Sequence, residues 1–376
     1  MKKFIIGNDK NANPIVWEQE KNMNGHLLIT GMTGSGKTYA LRYLMKQLIQ
    51  QKDADQIIVF DTCYSFEKEF CDELSAEGRV IHVRKDGFPD ILTYFQKKSD
   101  EVFMSSYEVT DIIQRCFELG SRQKITFQKA CEHMFAQKNN YERITLSEIL
   151  DSVDEETKYG IDTKAKLQLL NAEFLNRDDV EFLDRLLSQK EQKYIVFNLS
   201  DIPLSLQTFC IEMILWFLTA FVWNEDKKDR TIVLDEFQNM KITKDSALRK
   251  LLVEGRKFGI NLWMATQTLE IFPKEQVVVL SQAACKLYFR PSITEKRQIL
   301  KVVRKEKQEI WMKLMENLRM GQCIVFFERE RMQGPYLIQI PEQKRKWSDK
   351  KSLIRQNSGR VLVNNHDIKK RIRKVR

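Results

Sequence analysis

The sequence predicts an α/β fold, a mainly parallel sheet with helices on both faces and one all-helical insertion. Three observations carry this. Eight short runs rich in β-branched and aromatic residues are almost continuously apolar, the mark of strands buried on both faces. Helix-periodic stretches separate most of them, an alternation that produces parallel crossovers. Between about residues 99 and 190 the strand signal vanishes and polar, helix-periodic text replaces it.

The elements follow in chain order. HLLITG at 26–31 opens the series and leads into a helical pattern over Thr38–Gln51. QIIVFD at 56–61 and RVIHV at 79–83 are the next two strands. The insertion then contains EVTDIIQRCFELG and LSEILDSVDEETK, whose apolar residues recur at helical spacing. YIVFNL at 194–199 resumes the strands, and a long helix follows over Leu204–Trp223. TIVLDE at 231–236, NLWMAT at 261–266, CKLYFR at 285–290 and QCIVFFE at 322–328 complete the set. Nothing before His26 or after Glu328 is read as a strand. The expected organisation is a first core segment over 1–98, the helical insertion over 99–190, a second core segment over 191–340 and a basic tail over 341–376. In the tail apolar periodicity fails, so mobility is expected there.

Composition bounds the possibilities. The 376 residues are 43% hydrophobic and 30% charged, enough for a sizeable core. The seven cysteines are scattered, with no C-x-x-C pair and no histidine at metal spacing. A disulfide framework and structural zinc are therefore not expected, and a reducing cytoplasm is. His26, His82, His133 and His366 show no pairing with Cys or Ser, so each is read as structural. The first residues hold an apolar stretch too short for a signal peptide. Leu206–Trp223 approaches bilayer-spanning length but carries Gln207, Thr208, Glu212 and Thr219. A helix buried against the sheet is expected there, and no integral membrane segment. The net charge is +10, yet residues 344–376 alone carry 13 Lys/Arg against Asp349 and Asp367. The basic character thus resides in the tail, which suits phosphate backbones or an acidic protein partner.

Residues 31–38 read GMTGSGKT, matching G-x-x-x-x-G-K-[ST] between a strand and a helix, the context such a phosphate-binding loop requires. Gly34 and Gly36 let the backbone curl so that successive N–H groups point at phosphates, and the helix start favours negative charge. Lys37 is expected to reach the β- and γ-phosphates of ATP, and the Thr38 hydroxyl to ligate Mg²⁺. The expected nucleotide contacts run through Gly31, Met32, Thr33, Gly34, Ser35, Gly36, Lys37, Thr38 and Tyr39. The strand at 231–236 ends in two carboxylates. Asp235 is expected to hold Mg²⁺, and Glu236 to polarise an attacking water. Gln267, just past the strand at 261–266, stands where a γ-phosphate sensor would sit. Asp61 either contacts nucleotide-bound water or caps its own loop. For neutralising transition-state charge, Arg256 and Arg290 are the two candidates, and Arg249 and Arg297 are weaker ones.

Taken together, HLLITGMTGSGKT, IIVFDTCYSFEKEF, FNLSDIPLSLQTFCIEMILWFL, VLDEFQNM and EGRKFGINLWMATQTLEIFP resemble the HerA/FtsK superfamily of P-loop ATPases. The likeness lies with the branch of HerA-type translocases and conjugative type IV secretion ATPases, over roughly residues 10–330. It implies a RecA-like core that assembles as a hexameric ring with ATP at each subunit interface. By residue, it implies that Lys37 and Thr38 bind nucleotide and Mg²⁺, that Asp235 and Glu236 catalyse, and that Gln267 senses. The phosphate loop begins at Gly31, so no N-terminal β-barrel of the HerA kind is expected ahead of it. The leading expectation is an ATP-driven DNA translocase in DNA transfer or processing. The alternative is an energising ATPase of a secretion or conjugation machine that acts on protein or a membrane complex. A slow nucleotide-dependent switch is the third. The expected location is cytoplasmic, with peripheral attachment to a membrane complex left open, and a docking or DNA-processing protein as partner.

Overall fold

The apolar runs become the strands of an eleven-stranded sheet. The computed structural model describes residues 2–341 except 52–54, 67, 75, 94, 96–101, 138–141, 176–191, 223–228 and 328–332. The strands are β1 (Lys3–Asn8), β2 (Pro14–Glu18), β3 (Leu27–Gly31), β4 (Gln56–Asp61), β5 (Gly78–His82), β6 (Tyr194–Asn198), β7 (Arg230–Leu234), β8 (Ile260–Thr266), β9 (Cys285–Phe289), β10 (Gln322–Phe327) and β11 (Gln333–Gln339). Their order is β2-β1-β11-β10-β9-β3-β8-β7-β4-β6-β5. From β9 to β5 every pairing is parallel, and from β2 to β9 every pairing is antiparallel. This is the RecA-like α/β arrangement.

Alternate residues of the parallel strands feed two cores, because successive side chains leave opposite faces of a strand. Leu27, Ile29, Ile57 and Val59 pack on one face with the helix Lys37–Ile49. Leu28, Ile58 and Phe60 pack on the other with the helix Leu204–Val222 and with helices that precede it. The apolar segment starting at Leu206 is therefore a core helix, and no helix among the described residues is long and apolar enough to cross a membrane. Its one acid before Thr219, Glu212, is buried and faces Arg115 at 3.5 Å. Arg115 belongs to the helix Val102–Phe117. Between β5 and β6 all described elements are helices, the longer ones being Val102–Phe117, Ser121–Gln137 and Lys158–Leu167. The ends of the expected insertion, 99–101 and 176–190, and the expected basic tail from 342 onward lie outside the described residues.

Three strands depart from the sequence reading. β1, β2 and β11 were not legible because they lie in the antiparallel flank, where the apolar signal is diluted. β1 alternates exposed and buried positions, and β11 carries Gly334–Pro335, a turn signal tolerated where β1 leaves β11 unpaired, since the two strands meet only at Asn8 and Gln339. β1 and β2 form a hairpin that lies across the face bearing the helix Lys37–Ile49. Phe4 stands 5.3 Å from Trp17 and 5.4 Å from Trp263 of β8, ring centre to ring centre. Gln47 accepts from the Ile5 amide at 2.8 Å and donates to its carbonyl at 2.9 Å, which satisfies a strand edge that would otherwise be open. Gly7 is required by close approach, since a Cβ there would lie 2.7 Å from the Gln339 carbonyl oxygen. Buried Lys2 anchors the hairpin to the amino edge of the sheet by pairing with Asp55 and Asp229.

His26 is structural, as read. It is buried ahead of β3, and its Nδ1 accepts the Leu262 amide at 3.0 Å. Burial pushes its pKa down to about 4, so the imidazole is neutral. An unfolded chain protonates this group at pH ~6.5 while the folded one refuses the proton, so stability present above that pH is lost as the pH falls toward 4. His26→Asn, which keeps an acceptor for Leu262, is expected to flatten the fall in the urea midpoint between pH 6.5 and 4.5. An unchanged slope removes the assignment.

Candidate active site

The phosphate loop joins the end of β3 to the helix Lys37–Ile49. Its glycines occupy backbone conformations unfavourable to other residues, with φ of 151° at Gly31, 75° at Gly34 and 114° at Gly36. Gly31 also lacks room for a side chain, because a Cβ would lie 2.0 Å from the Phe289 carbonyl oxygen of the neighbouring β9. From behind, the Gly321 amide donates to the Ser35 carbonyl at 3.1 Å, so the turn before β10 braces the loop. No acidic residue occupies the first turn of the helix and no side chain caps it. Its free N–H groups and its dipole therefore face the loop, ready for an anion.

Strand order assembles the rest. β8 lies between β3 and β7, with Thr30 opposite Thr266 and Leu234 opposite Met264. The carboxyl ends of the three strands thus share one edge of the sheet. There the Thr38 hydroxyl donates to Asp235 Oδ2 at 2.7 Å, and Lys37 Nζ lies 3.6 Å from Glu236 Oε1. Gln267, at the tip of the middle strand, donates from Nε2 to Glu236 Oε2 at 3.2 Å. β7 ends at Leu234 rather than continuing to residue 236, because Glu236 takes a left-handed conformation with φ 57° and ψ 44°. That turn costs a non-glycine residue ~1–2 kcal/mol.

Asp235 is 4% exposed. Burial pushes its pKa up to about 6, and the charges of Glu236 and Asp61 act in the same direction. The Thr38 hydrogen bond and Lys37 pull it back. A buried carboxylate beside a threonine hydroxyl, next to an anion-ready loop, is a set of hard oxygen donors that fits Mg²⁺.

The remaining expected residues divide by place. Asp61 is fully buried and accepts backbone N–H groups from Cys63 at 3.1 Å, Ser65 at 2.8 Å and Phe66 at 2.7 Å, so it caps its own loop. Ser35 is buried within the loop and Met32 is 63% exposed at its outer rim. Arg290 follows β9 at the same sheet edge, with φ 46° and Nε 3.4 Å from the Leu318 carbonyl. Arg256 lies at the opposite edge, just ahead of β8, where it donates to the Met23 carbonyl. It takes no part in the site of its own chain. Arg249 and Arg297 lie on the helices Ala247–Glu254 and Ile293–Val302. Gln238 is a site residue that sequence reasoning missed. A 3-10 turn over Phe237–Asn239 brings it back to Glu236, and no periodicity announces that turn.

A carboxyl with a raised folded pKa stabilises the fold at low pH and loses that contribution as the pH rises through about 6. At pH 8 the ionised Asp235 therefore costs the nucleotide-free protein ~3 kcal/mol relative to an ordinary aspartate. Asp235→Asn is expected to raise the unfolding temperature by a few degrees at pH 8 without nucleotide, and by less at pH 5.5. Calorimetry that finds a lower unfolding temperature at pH 8 contradicts this.

Comparison with known proteins places the arrangement. Residues 7–217 match the family described as "Helicase HerA, central domain". Over 273 residues the chain is 26% identical to the DNA import protein CedB of Sulfolobus acidocaldarius, which covers 70% of this chain and 43% of CedB. The chain thus spans less than half the length of that curated relative. The fold is similar to VirB4 of Thermoanaerobacter pseudethanolicus, with a TM-score of 0.66 at 14% identity over 90% of this chain and 96% of that one. It is also similar to the bacterial conjugative coupling protein TrwBdeltaN70, at 0.61 and 13% over 92% and 90%. The plasmid coupling protein TrwB in complex with ADP and Mg²⁺ gives 0.59 and 13% over 85% and 86%.

Proposed function

The chain belongs to the family of the helicase HerA central domain, and from that premise we propose that it is an ATP-hydrolysing motor that moves DNA. One observation carries the reading: the ends of β3, β8 and β7 bring an anion-ready loop, a lysine, a glutamine and two carboxylates to one edge of the sheet.

In this reading the loop amides of residues 31–38 hold the phosphates of ATP, and Lys37 leaves Glu236 to hold the β- and γ-phosphate oxygens. Thr38 and Asp235 hold Mg²⁺, which offsets phosphate charge when bound. Their 2.7 Å hydrogen bond supports the pairing. Glu236 takes the proton of the attacking water, a role suited to a carboxylate at the rim of the loop. Gln267 reports the γ-phosphate to β8. Arg290 neutralises charge from the same edge, whereas Arg256 serves only from a neighbouring copy, in an assembly we take to be a hexameric ring. CedB is named a DNA import protein and TrwB a conjugative coupling protein, which supports DNA as the substrate and a transfer machine as the setting.

Lys37→Ala is expected to abolish nucleotide binding, and Glu236→Gln to lower kcat by ~10²-fold or more while nucleotide still binds. Turnover of the wild type is expected to rise on adding DNA, with a hexamer mass in a non-hydrolysable ATP analogue. Turnover that responds to neither single- nor double-stranded DNA moves the assignment to a protein-directed machine ATPase. Retained nucleotide affinity in Lys37→Ala removes it altogether.

A further inference from the structure

Glu236 is held more firmly than the reading above requires. Its Oε2 accepts two amide N–H donors, Gln238 Nε2 at 2.5 Å and Gln267 Nε2 at 3.2 Å. Its Oε1 faces Lys37 at 3.6 Å. Gln238 Oε1 in turn lies 3.3 Å from the hydroxyl of Thr266, the fully buried last residue of β8, whose one proton it shares with the Thr268 carbonyl, also at 3.3 Å. Only one orientation of the Gln238 amide makes both bonds. Turned over, it would set its oxygen against the carboxylate, and a carboxylate only accepts.

The two glutamines differ in what they can do. Gln267 is exposed and follows the strand, free to turn toward a phosphate. Gln238 is half-buried, with its amide nitrogen on Glu236 and its amide oxygen at the shared Thr266 hydroxyl. When Lys37 and Gln267 turn to the phosphates, the carboxylate keeps the Gln238 bond. A hydrogen bond to a charged acceptor is worth ~1.5–3 kcal/mol, and without it Glu236, on a strained left-handed turn, is free to swing.

We propose that Gln238 is a positioning residue: it holds the Glu236 carboxylate in its water-activating orientation and ties that orientation to Thr266 at the end of β8. Movement of β8 as nucleotide is sensed at Gln267 is thereby transmitted to Glu236 through Thr266 and Gln238, without the nucleotide touching either. The inference rests on the hydrolytic reading of the site.

The test is a double-mutant cycle on the full chain, read by kcat, KM and affinity for a fluorescent non-hydrolysable ATP analogue. Gln238→Ala is expected to lower kcat ~10-fold or more, the order of a lost bond to a charged group, with KM and analogue affinity within about twofold. Thr266→Val, which keeps the side-chain shape, is expected to act in the same direction and less strongly. In a Glu236→Gln background, measured by single turnover, Gln238→Ala is expected to cost nothing further, because residues that act as a unit are not additive. An equal loss in both backgrounds, or a matching loss of analogue affinity, overturns the proposal and leaves Gln238 a structural tie. If Glu236→Gln alone turns over at the wild-type rate, the hydrolytic reading fails, and with it any carboxylate for Gln238 to position.

Discussion

Everything at the site depends on the parallel alignment of β3, β8 and β7, with β8 in the middle. Parallel pairing puts the same end of each strand on the same edge, so three segments far apart in sequence deliver their next residues to one place. The phosphate loop follows the first, Gln267 the second, and Asp235 and Glu236 the third. The middle strand brings a glutamine to the acid. Gln267, at the tip of that strand, donates directly to the acid.

That alignment holds in place groups that would not choose it. Asp235 ionises against burial and against two neighbouring acids. Glu236 turns left-handed without a glycine's freedom, and Gly31 touches the next strand so closely that no other residue fits. Such features persist only where the surroundings over-determine them. Here the surroundings are two cores, one on each face of the sheet. The antiparallel flank contributes as well. The Gly321 amide, at the entry to β10, braces Ser35, and the Gly321 carbonyl accepts the Ile340 amide beyond β11. The β1–β2 hairpin covers the face where the helix behind the loop lies. The turn ahead of β10 thus holds the loop's backbone at Ser35.

Legibility tracked how strongly each feature was written into local sequence. The eight strands of the parallel core and its first antiparallel neighbour carried continuous apolar runs and could be read. β1, β2 and β11 could not, because a half-exposed strand spreads its apolar residues thinly and a Gly-Pro pair imitates a turn. The loop after β3 was legible as a tight turn into a helix, since Gly34 and Gly36 take positive φ there and the helix opens at Lys37. Asp61 carried two readings in sequence, and only its three backbone N–H partners chose the loop cap. The arginines were equally ambiguous as text, and the structure set Arg290 and Arg256 at opposite edges of the sheet.

Sequence by itself determined the α/β class, the phosphate loop and the acidic pair, because each is specified by residues adjacent in the chain. Tertiary structure alone decided that Gln238 and Gln267 share one carboxylate oxygen and that one of them also reaches the Thr266 hydroxyl. It also decided which edge each arginine occupies. Those relations join residues whose contact depends on strand order and on a single left-handed turn. Neither leaves a periodic trace in the sequence, since a hydrogen bond between distant segments constrains geometry at its two ends and nothing in between.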